Sequence, residues 1–268
     1  MQVGRKGTDV TGPVGEHAFG EERRERIVSM VNARGRVRIG ELAREVAASE
    51  PTVRKDLALL ERSGLLRRTH GGALALRPPA ERPFADRLSR DAEAKTAIAR
   101  VCVDLVADGD AVYLDSGTTT LRIAELLTAR NVNALTNGIA VAAALAEKPT
   151  VRHTLVGGVL RPSAGAVAGA LAVENVARFT VNTAFIGATG LTADGITVAD
   201  HNEAQLKVAV LGRARRIVVP VDVSKIGIND FALVAPLDAV DTVVTADAPP
   251  GLAELCARHG VELIDAAT

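Results

Sequence analysis

Aromatic side chains are nearly absent from this chain: no Trp, one Tyr and five Phe among 268 residues. Proteins that read RNA or single-stranded DNA stack bases on aromatic platforms, so a nucleic-acid partner is expected to be duplex DNA. Cysteine is scarce as well. Cys102 and Cys256 each sit in an apolar helical pattern, without metal-ligand spacing and with no His partner nearby in sequence; they are expected to be buried core thiols. No metal site or cofactor is expected. A long apolar run is also missing. The longest charge-free stretch, near Val132 to Ala146, is interrupted by Asn133, Asn137 and Gly138, which excludes a membrane-spanning helix, and the N-terminus shows no signal-like apolar segment. A cytoplasmic location is expected.

An excess of either charge is lacking too, with 32 Lys and Arg against 32 Asp and Glu, but the balance is not uniform. Glu21 to Arg77 holds 13 basic against 8 acidic residues, and Pro78 to Thr268 holds 17 against 22. A basic head that meets phosphates, joined to a body that phosphates would repel, fits this split.

The head carries three helical patterns. Ile27, Met30 and Val31 form an apolar stripe behind the charged run Glu21 to Arg26, and Ile39, Leu42, Ala43 and Val46 form a second. In the third, Ser49 stands as an N-cap, Pro51 lies in the first turn, and Val53, Leu57 and Leu60 point inward before Gly64 stops the helix. That leaves Thr52, Arg54, Lys55 and Arg62 toward solvent, the layout of a recognition helix. Leu65 to Leu74 then predicts two short strands around Gly71-Gly72, a wing with basic residues on its approach. Residues 1–20 show no periodicity and are expected to be a disordered tail without function. Pro78, Pro79 and Pro83 make residues 77–83 an extended linker between the head (21–76) and the body (84–268).

In the body, β-rich runs at 111–114, 133–136, 153–156, 184–186, 217–220, 242–245 and 261–264 alternate with helical stretches such as 119–129, 139–147, 202–212 and 252–259. This predicts an α/β fold with a parallel sheet covered on both faces. Ligands of such sheets bind beyond the carboxyl ends of the strands. Asp115-Ser116-Gly117-Thr118-Thr119-Thr120 follows the first strand and opens a helix, where hydroxyls and free N–H groups could hold a phosphate. Thr136-Asn137-Gly138 follows the second strand and Gly157-Gly158 the third. One at a time such residues are ordinarily caps and turns; three on one sheet edge point to a site. Glu203 and Lys207 are i, i+4 neighbours, either a surface ion pair or the polar edge of a sugar site, and Lys225 comes to the same edge after the strand ending at Pro220.

The segments Ser49-Glu50-Pro51-Thr52-Val53-Arg54-Lys55-Asp56-Leu57, Arg68-Thr69-His70-Gly71-Gly72-Ala73, Asp115-Ser116-Gly117-Thr118-Thr119, Thr136-Asn137 and Asp222-Val223-Ser224-Lys225, in this order and spacing, resemble the DeoR family of bacterial transcriptional repressors over nearly all of Glu21 to Pro249. The resemblance implies a winged helix-turn-helix head, a body with a ribose-5-phosphate isomerase-like fold, and a phosphorylated sugar or sugar alcohol as effector. It assigns Thr52, Arg54, Lys55, Arg68, His70 and Gly71 to DNA. To the effector it assigns Lys95, Asp115, Ser116, Gly117, Thr118, Thr119, Asn137, Gly157, Gly158, Asp200, Glu203, Lys207 and Lys225. Two departures stand out. Lys55 occupies a place where the family commonly has arginine, and a lysine cannot make the bidentate fork to guanine. The Ala- and Gly-rich segment 164–172 lacks the charges often found nearby, which leaves the sugar open.

The leading expectation is a repressor of a sugar or sugar-alcohol operon, not an enzyme and with no catalytic residue, controlled by a sugar phosphate and acting on operator DNA as a homo-oligomer, a dimer or tetramer. The alternative is a sugar-phosphate isomerase with an added DNA-binding head, for which Asp115, Asp200 or Glu203 would be the base.

Overall fold

The computed structural model describes residues 14–69, 71–75 and 83–267. Contacts divide the chain into two compact units, Met1–Pro79 and Ala80–Thr268. The expected linker, residues 77–83, straddles this division, and all of it except Pro83 lies outside the described residues.

The head runs α1 (Val14–Arg34), β1 (Arg36–Arg38), α2 (Ile39–Glu45), α3 (Glu50–Arg62), β2 (Leu66–Thr69) and β3 (Gly72–Ala75). The expected tail is corrected in part: Val14–Gly20 belong to α1, while residues 1–13 lie outside the described residues. No proline interrupts Val14–Gly20, and Gly15 and Gly20 each cost a helix only about 1 kcal/mol. The helix-turn-helix forms where the sequence predicts it. Ser49 Oγ accepts from Thr52 N–H at 3.4 Å, closing the N-cap of α3, and Val53, Leu57 and Leu60 join Ile27, Val31, Leu42 and Leu66 in one core. The wing has a third strand that periodicity did not reveal. β1 pairs antiparallel with β3, Arg38 opposite Gly72. A Cβ at Gly72 would lie 2.0 Å from the Val37 carbonyl oxygen, so glycine is required there for strand approach.

The body opens with α4 (Phe84–Leu88) and α5 (Ala92–Asp104), followed by β4 (Ala111–Leu114), α6 (Thr118–Leu126), β5 (Val132–Thr136), α7 (Ile139–Ala146) and β6 (Val151–Leu155). A hairpin of β7 (Val159–Arg161) and β8 (Ala166–Ala168) leads into α8 (Ala170–Val176), β9 (Val181–Phe185), β10 (Gly190–Thr192), β11 (Gly195–Val198), α9 (His201–Leu211) and β12 (Ala214–Pro220). The chain ends with β13 (Ala232–Ala235), β14 (Thr242–Thr245), α10 (Leu252–Arg258) and β15 (Glu262–Asp265). The seven predicted strands form one sheet in the order β15-β14-β12-β9-β4-β5-β6, and every pairing in it is parallel.

Side chains alternate across this sheet. Val112 and Leu114 pack with Ile98, Cys102 and Ile123 on one face, while Tyr113, Ala184 and Val219 pack with Leu206, Val210 and Cys256 on the other. Both cysteines are free and buried, as expected. The three-stranded sheet β10-β11-β13 and the β7–β8 hairpin are additions that the sequence pattern did not predict. Strand order reverses between β4 and β9, because the chain moves outward through β5 and β6 and then returns to the other side of β4. In an open sheet, that reversal marks the ligand crevice.

Candidate functional site

Asp115 follows β4 at this reversal and is completely buried. Its Oδ2 accepts from the Gly187 N–H, just past β9, at 2.8 Å, and its Oδ1 accepts from Ser116 N–H at 2.8 Å. Its own N–H donates to the Phe185 carbonyl at 3.1 Å. The carboxylate is therefore pinned by the two strands that flank the crevice. It also pairs with the ammonium of Lys207, whose side chain is 1% exposed. Lys207 Nζ lies 3.1 Å from Glu203 Oε1, Glu203 Oε2 accepts from Arg161 Nη1 at 2.7 Å, and Arg161 Nε is 3.7 Å from Asp200 Oδ1. Five charges of alternating sign thus run from β4 through α9 to β7.

Burial works against the Lys207 charge, but the carboxylates of Asp115 and Glu203 outweigh it and raise the ammonium above its ordinary pKa. For Glu203, burial pushes upward, and Lys207 and Arg161 together bring the carboxyl below the usual range. The Glu203–Lys207 pair is buried, not the exposed i, i+4 pair that the spacing alone favours. Asp200 is the N-cap of α9, accepting from Glu203 N–H at 2.9 Å.

The loop after Asp115 enters α6 with Ser116, Gly117 and Thr119 half-exposed, whereas Thr118 and Thr120 are buried. Thr120 Oγ1 donates to the Gly117 carbonyl at 3.1 Å, and the N–H groups of the first turn of α6 have no partners inside the helix. Both polar atoms of the Asn137 side chain are bonded within the protein. Its Oδ1 accepts from Tyr113 Oη at 2.9 Å and from Ser116 N–H at 3.0 Å, and its Nδ2 donates to the Val167 carbonyl at 3.0 Å. It braces the first loop against the second. Gly157 and Gly158 are exposed; Gly157 N–H donates to Asn175 Oδ1 at 3.3 Å, and a Cβ on Gly158 would meet Val167 and the Ala168 carbonyl at 2.8 Å.

The other two lysines form a second cluster. Lys95 is buried, and its Nζ donates to the carbonyls of Arg87, at 2.7 Å, and Arg90, capping the end of α4. Burial lowers its pKa, opposed by Asp222 and Asp91, and Lys225 lowers it further. Lys225 lies in a single 3-10 turn, Val223–Lys225, capped by Asp222, which accepts from Ser224 N–H at 3.0 Å. Burial lowers its pKa as well, with Asp222 opposing.

Three groups escaped the sequence reading. Gly187 could have been found by inspecting the end of the strand at 184–186 as the other strand ends were. Arg161 lies on a three-residue strand, too short for any periodicity, and Tyr113 sits in the apolar run of β4, where nothing in the pattern marks a polar role. Among the described residues, no group of His, Cys, Asp and Glu is arranged to hold a metal ion, and no helix is long and apolar enough to cross a membrane.

In the head, Arg54 and Lys55 are exposed on α3 and Thr52 is half-buried beside the cap. Arg54 Nη2 lies 3.3 Å from Glu50 Oε2 in an exposed pair. Arg68 on β2 is bound by Glu61, through its backbone N–H at 2.8 Å and its Nε at 2.6 Å; these bonds, the backbone one first, hold the Glu61 carboxyl below its usual range. Gly71 accepts from Ile39 N–H through its carbonyl at 2.8 Å, and His70 lies outside the described residues. Asp56 was not singled out by the sequence, yet it is a buried carboxylate on α3, bound by Arg23 Nε at 2.6 Å and Nη2 at 3.3 Å.

Residues 23–78 match the model of the DeoR-like helix-turn-helix domain, and residues 90–247 match that of the DeoR C-terminal sensor domain. The chain belongs to the DeoR family. It is a DNA-binding transcriptional regulator with a sensor body. Among curated relatives, the HTH-type transcriptional repressor GlcR of Bacillus subtilis is 30% identical over 92% of this chain and 96% of its own length. The glycerol-3-phosphate regulon repressor of Escherichia coli is 31% identical over 90% of this chain and 97% of its own. Among solved structures, eIF2B beta of Chaetomium thermophilum aligns over 91% of this chain and 94% of that one, with TM-score 0.50 and 16% identity, a likeness of fold alone. Ribose 5-phosphate isomerase A of Methanocaldococcus jannaschii aligns over 51% of this chain and 55% of that one, with TM-score 0.37 and 18% identity.

Proposed function

We propose that the protein is a repressor of an operon for the use of a sugar or sugar alcohol, binding operator DNA through α3 and the wing as a homo-oligomer, and sensing a phosphorylated form of that compound in the body. The observation that carries this reading is the strand-order reversal between β4 and β9, where the α6 N-terminus follows the buried Asp115–Lys207 pair. Half-exposed Ser116, Gly117 and Thr119 offer hydroxyls and N–H groups to phosphate oxygens. The curated relatives support it, since one is named for a glycerol-3-phosphate regulon and another for a lactose phosphotransferase system. Lys225, half-buried after β12, is a candidate cation for the anion, whereas Lys95 is held by the carbonyls of Arg87 and Arg90 and acts through the shape of α4. Asn137 works as a brace.

The isomerase alternative is less well supported. An isomerase base must be free to take a proton from carbon, and Asp115, Asp200 and Glu203 each face a lysine or arginine. Loss of enzymatic activity therefore belongs to this proposal.

The two halves are tested separately. Replacing Arg54 by Ala should cost roughly 1–3 kcal/mol of operator binding if it reads a base edge, with scrambled DNA less affected; equal losses on both duplexes would reassign it to the backbone. Replacing Thr119 by Glu should abolish the thermal stabilisation given by a panel of phosphorylated sugars while DNA binding survives, because a fixed anion then occupies the helix N-terminus. A variant that responds like its parent removes this loop from the site.

A further inference from the structure

On α3, the buried arc consists of Val53, Asp56, Leu57 and Leu60. Three of these are what a packed helix requires, and the fourth is an aspartate whose side chain is 5% exposed. A carboxylate at such a position is expensive unless fully partnered, and apolar residues of similar volume serve stability equally well or better. Its partners come from α1: Arg23 grips both oxygens, at 2.6 and 3.3 Å, and Arg24 Nη1 lies 3.6 Å from Oδ1. The Asp56 hydrogen bond raises the Arg23 pKa, so the guanidinium stays charged.

Apolar contacts along the rest of the arc are non-directional and tolerate a small roll of the helix. A guanidinium fork on a carboxylate is directional in both angle and distance. Side-chain tips lie about 6 Å from a helix axis, so a roll of roughly 10° moves them by about 1 Å. Base-edge hydrogen bonds tolerate only about 0.5 Å in donor–acceptor distance. Thr52 is one turn before Asp56, and Arg54 and Lys55 immediately precede it, so the setting of Asp56 is transmitted to all three.

We propose that Asp56 is a positioning residue for sequence readout: gripped by Arg23, it fixes the roll of α3 and so aims Thr52, Arg54 and Lys55 at base edges. The proposal rests on the DNA-binding reading of α3, and its test separates the two.

A duplex enriched from a randomised library by the full-length parent is titrated at fixed salt beside a scrambled duplex of the same length. The same is done for Arg23→Lys, which keeps the charge and loses the fork, and for the double variant Arg23→Met/Asp56→Leu, which replaces the pair by apolar groups. The ratio of the two affinities should fall by about fivefold or more in both variants, the equivalent of one lost base contact. The double variant should melt at or above the parent's temperature, an outcome that a purely stabilising pair would not give. A folded double variant that keeps the parent's ratio overturns the proposal. If the double variant does not fold, an unchanged ratio in Arg23→Lys does so. A parent that enriches no sequence removes the DNA-binding reading itself, and the role of Asp56 with it.

Discussion

In the head, Arg54, Lys55, Arg62, Arg67 and Arg68 stand exposed, and the pairs Arg54–Glu50 and Arg68–Glu61 lie at the surface; in the body, Asp115, Glu203 and Lys207 are buried. The same pairing chemistry therefore has different weights. An exposed pair is worth about 0–1 kcal/mol and is screened by salt, so the head's cations remain available to phosphate. A buried pair gains little net stability over an apolar filling, but breaking one side is costly because a charge is left without solvent or partner. The head uses charge to meet another molecule, and the body uses it to hold its own crevice in one arrangement. Asp56 with Arg23 is the head's counterpart to the body's network, and it lies on the side of α3 turned away from solvent.

This contrast can be broken most strongly at Lys207. Lys207→Met leaves Asp115 and Glu203 buried with one cation fewer, and the body should lose roughly 3–5 kcal/mol. The single tyrosine, Tyr113, is buried in the body and there is no Trp, so tyrosine fluorescence follows this unit alone. A loss below about 1 kcal/mol would show that the charges are better solvated than their burial indicates.

The next effect is on acid stability. Glu203 is held below the usual carboxyl range when folded, so it contributes stability above its unfolded pKa of about 4.3 that is lost as pH falls through the lower folded value. Glu203→Gln should therefore melt below the parent at neutral pH, with a gap that closes as pH falls through the acid range. A gap independent of pH would mean that Glu203 does not supply the acid limb. Lys207, raised above its ordinary value, loses its contribution only as pH rises through its folded pKa, on the alkaline side.

The smallest effect belongs to the head. Glu50→Gln removes the exposed partner of Arg54 and should change head stability by less than about 0.5 kcal/mol. Affinity for duplex DNA should rise slightly, more at low salt than at high. A stability loss comparable to that of Lys207→Met would erase the distinction between the two units.

Legibility followed the length and regularity of the local pattern. The helix-turn-helix was readable because Ser49, Pro51 and Gly64 mark the limits of α3 and its apolar spacing spans three turns. Inner strands such as β4 and β14 were readable because they are covered on both faces and appear as short apolar runs, whereas the edge strand β6 is exposed over Arg152 to Leu155 and was marked by its place in the βα alternation. β1, β7, β8 and β10 have three residues each, fewer than two periods of alternation, and were missed with the Arg161 that one of them carries. Val14–Gly20 were missed for another reason, since this segment has no apolar periodicity of its own and so resembles a loop.

Local sequence by itself determined the helix-turn-helix and the seven strands of the parallel sheet, the basic head and acidic body, and the hydroxyl-rich loop at the start of α6, because capping, periodicity and charge count all operate within a few residues. Only the tertiary structure decided that Glu203 and Lys207 turn inward to Asp115, 92 positions away in sequence for Lys207, and that Asn137 and Lys95 spend their hydrogen bonds on the protein itself. It likewise decided that Asp56 faces Arg23 across the head. Spacing of i, i+4 fixes that two side chains are neighbours on a helix, but not which way that face is turned. The strand order places β9 beside β4 at the reversal of the sheet, and that long-range choice turns an ordinary helical ion pair into the floor of a crevice.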